Sequence, residues 1–524
     1  MRRNPCVSAW ARDRACPVCG VGCGARRAWR VLTGVLLLCG VDPLPLDLDF
    51  RDLVKVGAPY VTNFHPVRVR HDSALCCGGA TTMQLHECGG CRSSQLECGP
   101  APSELELGSL SHLKRSSQLE EGGAGLSPVD TAAVAAASTC DTVPLNPSRA
   151  KQRVASVDVM RGFVMLLMAV DHVRERFFYH LNVSDPMDVQ ATSPALFFTR
   201  MTSHLCAPTF VFLSGLAAWL YAHPTWRAAR SPSCFLFKRG LFLVLIEVTV
   251  IDFSWFGNFD TIYLQVIWAI GISMIALSLM AKLPYALVAV VGFLIVCGHN
   301  LLSHVRLHPD ETGYTLWAIL LGRGVIYDGA FRIKASYPVL PWVGVISLGY
   351  FAGPLYARTM EGPSRRKRLI GIGLSAFALL LVLRGLNKYG EVLPWQTQNS
   401  TLLTVMDVIN FTKYPPSLDF VLLTIPTALL LLAWFETLSG CFIAALAVFG
   451  SAPMFFYILH LYVLLISYRI VLATVGPNAG DLFALDSVWQ IWATAVLLVL
   501  LLYYPVRKFA KFKHSTTRGW VKYF

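Results

Sequence analysis

Residues 157–179 read VDVMRGFVMLLMAVDHVRERFFY, an apolar run carrying Arg161, Asp171 and His172. Ionisable side chains inside such a run are expensive to keep there and point to function. Histidine can take or give a proton near neutral pH. It therefore suits group-transfer chemistry, where a base deprotonates an attacking group or a nucleophile carries the transferred one. A developing oxyanion also needs a donor, which Arg or Asn can supply. Arg161 and His172 are eleven positions apart. At about 100° per residue they share one helix face, about 16 Å apart along the axis. Asp171 points to the side, so its partner must come from Arg174 or Glu175 one turn on, or from another helix, for instance Arg384.

Further polar groups fall at the same level of other apolar runs: His204, Glu247, Asp252, His299, Asn300, Arg384, Asn387, Lys388, Lys413 and His460. The bland reading of each is a hydrogen bond between helices or an anchor at the interface. The sharper reading takes His172, Asp171 and His204 as catalytic candidates, and Arg161, Glu247, Asn300, Arg384 and Lys413 as substrate or donor contacts. Arg161 suits a phosphate-bearing ligand. Asp171, His172 and His204 are metal-ligand types, yet no HxxxH pair accompanies them, so no metal site is expected. Nucleotide loops, GxSxG and HExxH are missing.

These groups need helices to position them. The chain has 524 residues, 54% hydrophobic and 15% charged, whereas soluble domains run near ~25% charged. The apolar runs approach the ~20 residues that cross a bilayer and do not alternate as strands would. The expected fold is an all-α polytopic membrane protein of about ten transmembrane helices. They fall at 157–179, 205–223, 238–255, 261–281, 283–302, 338–357, 369–386, 417–435, 452–475 and 489–504. Residues 314–328 are apolar but short, as in an interfacial or re-entrant piece. Gly215, Gly240, Gly271, Gly344 and Gly349 read as close helix contacts.

The net charge of +13 does not indicate nucleic acid, because no basic stripe with interleaved aromatics occurs. Lys and Arg gather instead at 149–153, 227–239, 358–368 and 507–513, all on one side of ten spans. The positive-inside rule puts that side, and both termini, in the cytoplasm. Loops 180–204, 303–337 and 387–416 then face outward. The sequons at Asn182, Asn399 and Asn410 lie in them, and matter only in a eukaryotic host.

Residues 1–148 differ from the rest. Of the fifteen cysteines, only Cys206, Cys234, Cys297 and Cys441 lie beyond residue 141. The Cys16–Cys19 and Cys88–Cys91 pairs are too far apart for a usual zinc module. Gly, Ser, Ala and Pro dominate 99–148, as in disordered segments. The segment is read as a disordered or non-native extension.

Ser156, Asp158, Arg161 and Gly162 are followed by Asp171, His172 and Arg174, and then by Thr202, Ala207, Pro208, Phe210, Phe212, Leu213 and Gly215. With YPVLPWVGVISLGYFAG from Tyr337, KYPPSLDF from Lys413 and FGSAPMFFYILHLYV from Phe449, this pattern resembles the membrane acyltransferases related to heparan-α-glucosaminide N-acetyltransferase. The likeness extends over 150–510. It implies a catalytic unit at 149–512, followed by a short basic tail at 513–524. It implies acetyl-CoA as co-substrate, an essential histidine (His172, His180 or His204), and transfer to a sugar-like amine or hydroxyl on the outer face. Partners are then the lipid bilayer, the acyl donor and the carbohydrate-like acceptor; a homo-oligomer is left open. The expected location is the plasma (inner) membrane. A proton-coupled transporter using Asp171, His172, Glu247 and Asp252 is the alternative, disfavoured because no repeat relates the two halves.

Overall fold

The computed structural model describes residues 155–524 apart from 182, 225–227, 520, 522 and 523. The expectations for residues 1–148, and those involving Arg149, Lys151, Arg153, Asn182 and Arg227, lie outside the described residues.

Helix α1 (Ala155–Phe177) is central. It buries Val157, Met160, Val164, Met165 and Val173, which point around its whole circumference. After a loop come α2 (Pro194–Thr202), a 3₁₀ turn (Ser203–Leu205) and α3 (Cys206–Ala222). Helix α4 (Ser233–Ile246) passes through a π-turn (Glu247–Ile251) into α5 (Asp252–Phe256). Strand β1 (Thr261–Leu264) leads to α6 (Val266–Met280), α7 (Tyr285–Gly298) and a 3₁₀ turn (His299–His304). Then follow α8 (Tyr314–Leu320), β2 (Gly324–Asp328), β3 (Arg332–Ala335), α9 (Leu340–Phe351) and α10 (Gly362–Leu386). The remainder is α11 (Thr401–Val408), α12 (Leu418–Phe435), α13 (Cys441–Ser451), α14 (Pro453–Val475) and α15 (Val488–Ser515).

Glycines set the closest crossings, as expected. A Cβ at Gly162 of α1 would lie 1.9 Å from the Leu446 carbonyl of α13, and one at Gly450 1.7 Å from that of Asp158. A Cβ at Gly215 would lie 1.9 Å from the Ile346 carbonyl, and one at Gly349 2.0 Å from that of Phe212, where α3 crosses α9. Gly240 and Gly271 face each other's carbonyls across α4 and α6.

The protein is helical with an apolar exterior: Leu381 on α10 is 72% exposed and Leu500 on α15 is 68% exposed. In water such surfaces would drive association; against lipid tails they are at home. Among the described residues six helices are long and apolar enough to cross a membrane by length and composition: 194–222, 285–304, 362–386, 418–435, 453–475 and 488–515. This is fewer than the ten read from the sequence. Apolar α6, α9 and α13 have 15, 12 and 11 residues, α1 is rich in charge, and 233–256 is interrupted by the π-turn.

Several boundaries differ for local reasons. Thr261–Leu264 is a strand, parallel to β3 with Thr261 opposite Arg332, and β3 also pairs antiparallel with β2. Residues 314–328 form α8 and β2. Helix α13 is a separate element, because Ala452 breaks helical geometry at φ −131°, ψ 53° just before Pro453; proline disfavours the helical region for the residue before it. Helix α15 continues to Ser515 and so includes Lys513.

Candidate active site

A cavity of about 550 Å³ runs along the face of α1 that carries both Arg161 and His172. The face read from helical periodicity is therefore the one that lines it. Small and apolar residues of α3, α4 and α6 close the opposite wall, among them Ala207, Ser214, Leu243 and Met274. One end is basic: Arg161, Arg230, Arg239 and Lys513 line it. Arg161 also pairs with Asp158 at 3.1 Å, and Lys513 Nζ donates to the Ser451 carbonyl at 3.0 Å.

At the other end Asp171, His172, Glu175, Lys413 and Tyr414 line the wall. Asp171 Oδ1 accepts from Arg174 Nε at 2.9 Å, and Lys413 Nζ lies 3.9 Å from Oδ2. Arg174 also reaches Glu175 at 3.1 Å. Asp185, from the loop after α1, accepts from the backbone N–H of Lys413 at 3.2 Å and of Tyr414 at 2.8 Å, with Arg200 3.9 Å away. Burial pushes the Asp185 carboxyl above its ordinary range, opposed by Arg200, Lys413 and those two N–H groups. Three carboxylates and three cations are thus interlocked, and a buried ion is tolerable only in such company.

His172 is 8% exposed. Its Nδ1 lies 2.7 Å from Nε2 of His460 on α14, and the edges of its ring contact Trp255 and Tyr457. His460 was visible in the sequence as a mid-helix histidine, but nothing local links it to a residue 288 positions earlier.

The other expected site residues sit apart from the cavity wall. His204 is buried beside Phe420, with ring centroids 5.2 Å apart, and neither ring nitrogen has a hydrogen-bond partner. His180 is exposed against Phe178. Glu247 Oε1 accepts from the backbone of Gln265 at 3.2 Å, and Asp252 from that of Tyr263 at 2.9 Å, so the two carboxylates hold β1 and the residue after it to the π-turn and the start of α5. Asn300 donates to the Gly390 carbonyl at 2.9 Å and accepts from the Leu418 N–H at 3.2 Å, tying the 387–417 loop to α12. Arg384 is not the partner of Asp171. It donates to the carbonyls of Val408 (2.7 Å), Asp407 (2.9 Å) and Asn410 (3.2 Å), where a cation satisfies the end of α11. No group of three or more His, Cys, Asp or Glu side chains suited to a metal ion occurs among the described residues.

No curated protein matches the chain significantly. Residues 153–383 match the family model described as "Heparan-alpha-glucosaminide N-acetyltransferase, catalytic". The matched stretch carries Arg161, Asp171, His172, Arg174, Arg200 and Arg239, and ends before Lys413 and His460. Over these residues the chain is similar to the catalytic domain of heparan-alpha-glucosaminide N-acetyltransferase.

Proposed function

We propose that this chain moves an acetyl group from acetyl-CoA to an amine or hydroxyl of a sugar-like acceptor, with the donor bound at the basic end of the cavity and the acceptor at the His172 end. The supporting observation is one cavity that joins a cluster of cations to a buried histidine on the same helix face. An elongated donor with phosphates at its head and a thioester at its tip matches that layout, and arginine forks suit the phosphates. In this reading residues 149–512 are the catalytic unit.

The chemistry follows from the groups on the wall. His172 takes the proton of the acceptor's N–H or O–H as that atom attacks the thioester carbonyl. Lys413 faces the oxygen that becomes negative. When the C–S bond breaks, the coenzyme A sulfur leaves with the electron pair and receives the proton from His172. Asp171 is held by Arg174 and Lys413 and keeps Lys413 in place. Glu247, Asn300 and Arg384 support the scaffold around the cavity, and His204 packs behind it.

Orientation follows from the positive-inside rule: the basic end and both termini cytoplasmic, ten crossings, in the plasma (inner) membrane. The test is acetyl transfer by purified protein from labelled acetyl-CoA to a panel of amino and neutral sugars, with single cysteines placed at Ser233 and Thr397 for accessibility labelling in intact cells. Acetylated product and opposite-side labelling are expected. Vesicle uptake of a solute without any acetylated product would replace this reading with the transporter, and same-side labelling would overturn the orientation.

A further inference from the structure

The two buried histidines fix each other's protons. His460 Nδ1 lies 2.9 Å from the Phe456 carbonyl oxygen, which can only accept. In the neutral pair the proton of His460 is therefore on Nδ1, and its Nε2 offers a lone pair. That lone pair lies 2.7 Å from His172 Nδ1, so His172 must carry its proton on Nδ1. The two rings are 6° from parallel with centroids 5.0 Å apart. With nitrogens only 2.7 Å apart, they lie edge to edge in one plane, the geometry of an N–H···N hydrogen bond. The chain Phe456 carbonyl, His460, His172 leaves one nitrogen without a proton, His172 Nε2.

We propose that His460 is a positioning residue that sets the tautomer of His172, so that Nε2 is the basic atom presented to the cavity. This rests on the acetyl-transfer reading for the use made of that atom, and on geometry alone for its state. When Nε2 takes a proton, the pair gains one positive charge in all. The Nδ1 proton of His172 can shift to His460 Nε2, while the other His460 proton stays on Nδ1, donated to the Phe456 carbonyl. The charge is then shared by two rings, which eases its burial.

Diethyl pyrocarbonate acylates an unprotonated imidazole nitrogen, so the rate of His172 modification, read by peptide mass spectrometry, reports the availability of Nε2. It requires neither donor nor acceptor. His460→Gln keeps an acceptor for His172 Nδ1–H and should leave the rate near that of the unsubstituted protein. His460→Leu removes the acceptor and should slow modification severalfold. Equal rates in all three proteins, or equal slowing by Gln and Leu, would overturn the assignment. Should the leucine variant fail to fold, ¹⁵N-histidine spectra of the unsubstituted protein decide: His172 must show a protonated Nδ1 and a bare Nε2, and the reverse refutes the proposal. The predicted labelling pattern without acetyl transfer to any acceptor would leave the histidine pair standing and remove the acetyl-transfer reading.

Discussion

The basic end of the cavity and the histidine end are held in different ways. Arg161, Arg230, Arg239 and Lys513 come from α1, the 223–232 connection, α4 and α15. Like charges there add to one field. At the far end Asp171 touches Arg174 and Lys413, the backbone N–H groups of Lys413 and Tyr414 reach Asp185, and His172 depends on His460. Removing one member leaves a buried group without its partner. The lesson is that the first end should fail gradually and the second abruptly, and substitutions can test that difference.

The largest effect is expected at His172. Removing a general base costs on the order of 10²–10⁴-fold in rate. His172→Ala should lower kcat on a confirmed acceptor by that amount while the protein still folds and binds acetyl-CoA in equilibrium titration. Near-normal turnover would move the base elsewhere and erase the contrast between the two ends.

Asp171→Asn comes next, and its effect is on stability. The change keeps size but removes the carboxylate that Arg174 and Lys413 share, leaving Arg174 only Glu175 in a buried site. Breaking a buried pair from one side costs about 3–5 kcal/mol, so the yield of monodisperse protein and its melting temperature should fall sharply. Arg384→Gln, which loosens α11 but leaves that network intact, should cost less. Equal losses would mean that the 387–417 loop, and not the ion network, carries the stability of this end.

Helical periodicity made α1 legible, because Arg161 and His172 are related by local geometry alone. The glycine crossings were legible for the same reason: the residue type itself permits close approach. The start of α14 was legible beside Pro453, but α13 was not, because its 11 apolar residues are too few to read as a span. Long-range pairing had no local signature. Lys413 reaches Asp171 across 242 positions of the numbering, and His460 reaches His172 across an even longer span. Arg384 was misassigned because its partners are backbone carbonyls at a helix end, which every sequence possesses and none displays. Strand β1 escaped because TIYL reads equally well as the start of an apolar helix, and only its pairing with β3 decides.

The smallest effect, and the one that sharpens the comparison most, is expected for Arg161→Lys. Both side chains carry a positive charge, so the field of the basic end and the orientation of α1 in the membrane should be kept. What changes is the fork: guanidinium can bind phosphate through two N–H groups at once, and ammonium cannot. The loss of one charge-assisted contact from this partly buried side chain is worth about 1 kcal/mol while other cations remain, roughly a fivefold change in affinity. Because Arg230, Arg239 and Lys513 line the same end, they should supply most of the remaining attraction. The expected outcome is a donor KM raised about fivefold with kcat unchanged, and a stronger dependence of KM on salt as point charges replace a directed contact. A fall in kcat at constant KM would show that Arg161 acts on the reacting atoms, about 16 Å along the helix from where the geometry puts them. Donor affinity that stays unchanged even in Arg161→Gln would show that this end binds no phosphate, and the division of the cavity into a donor end and an acceptor end would fall with it.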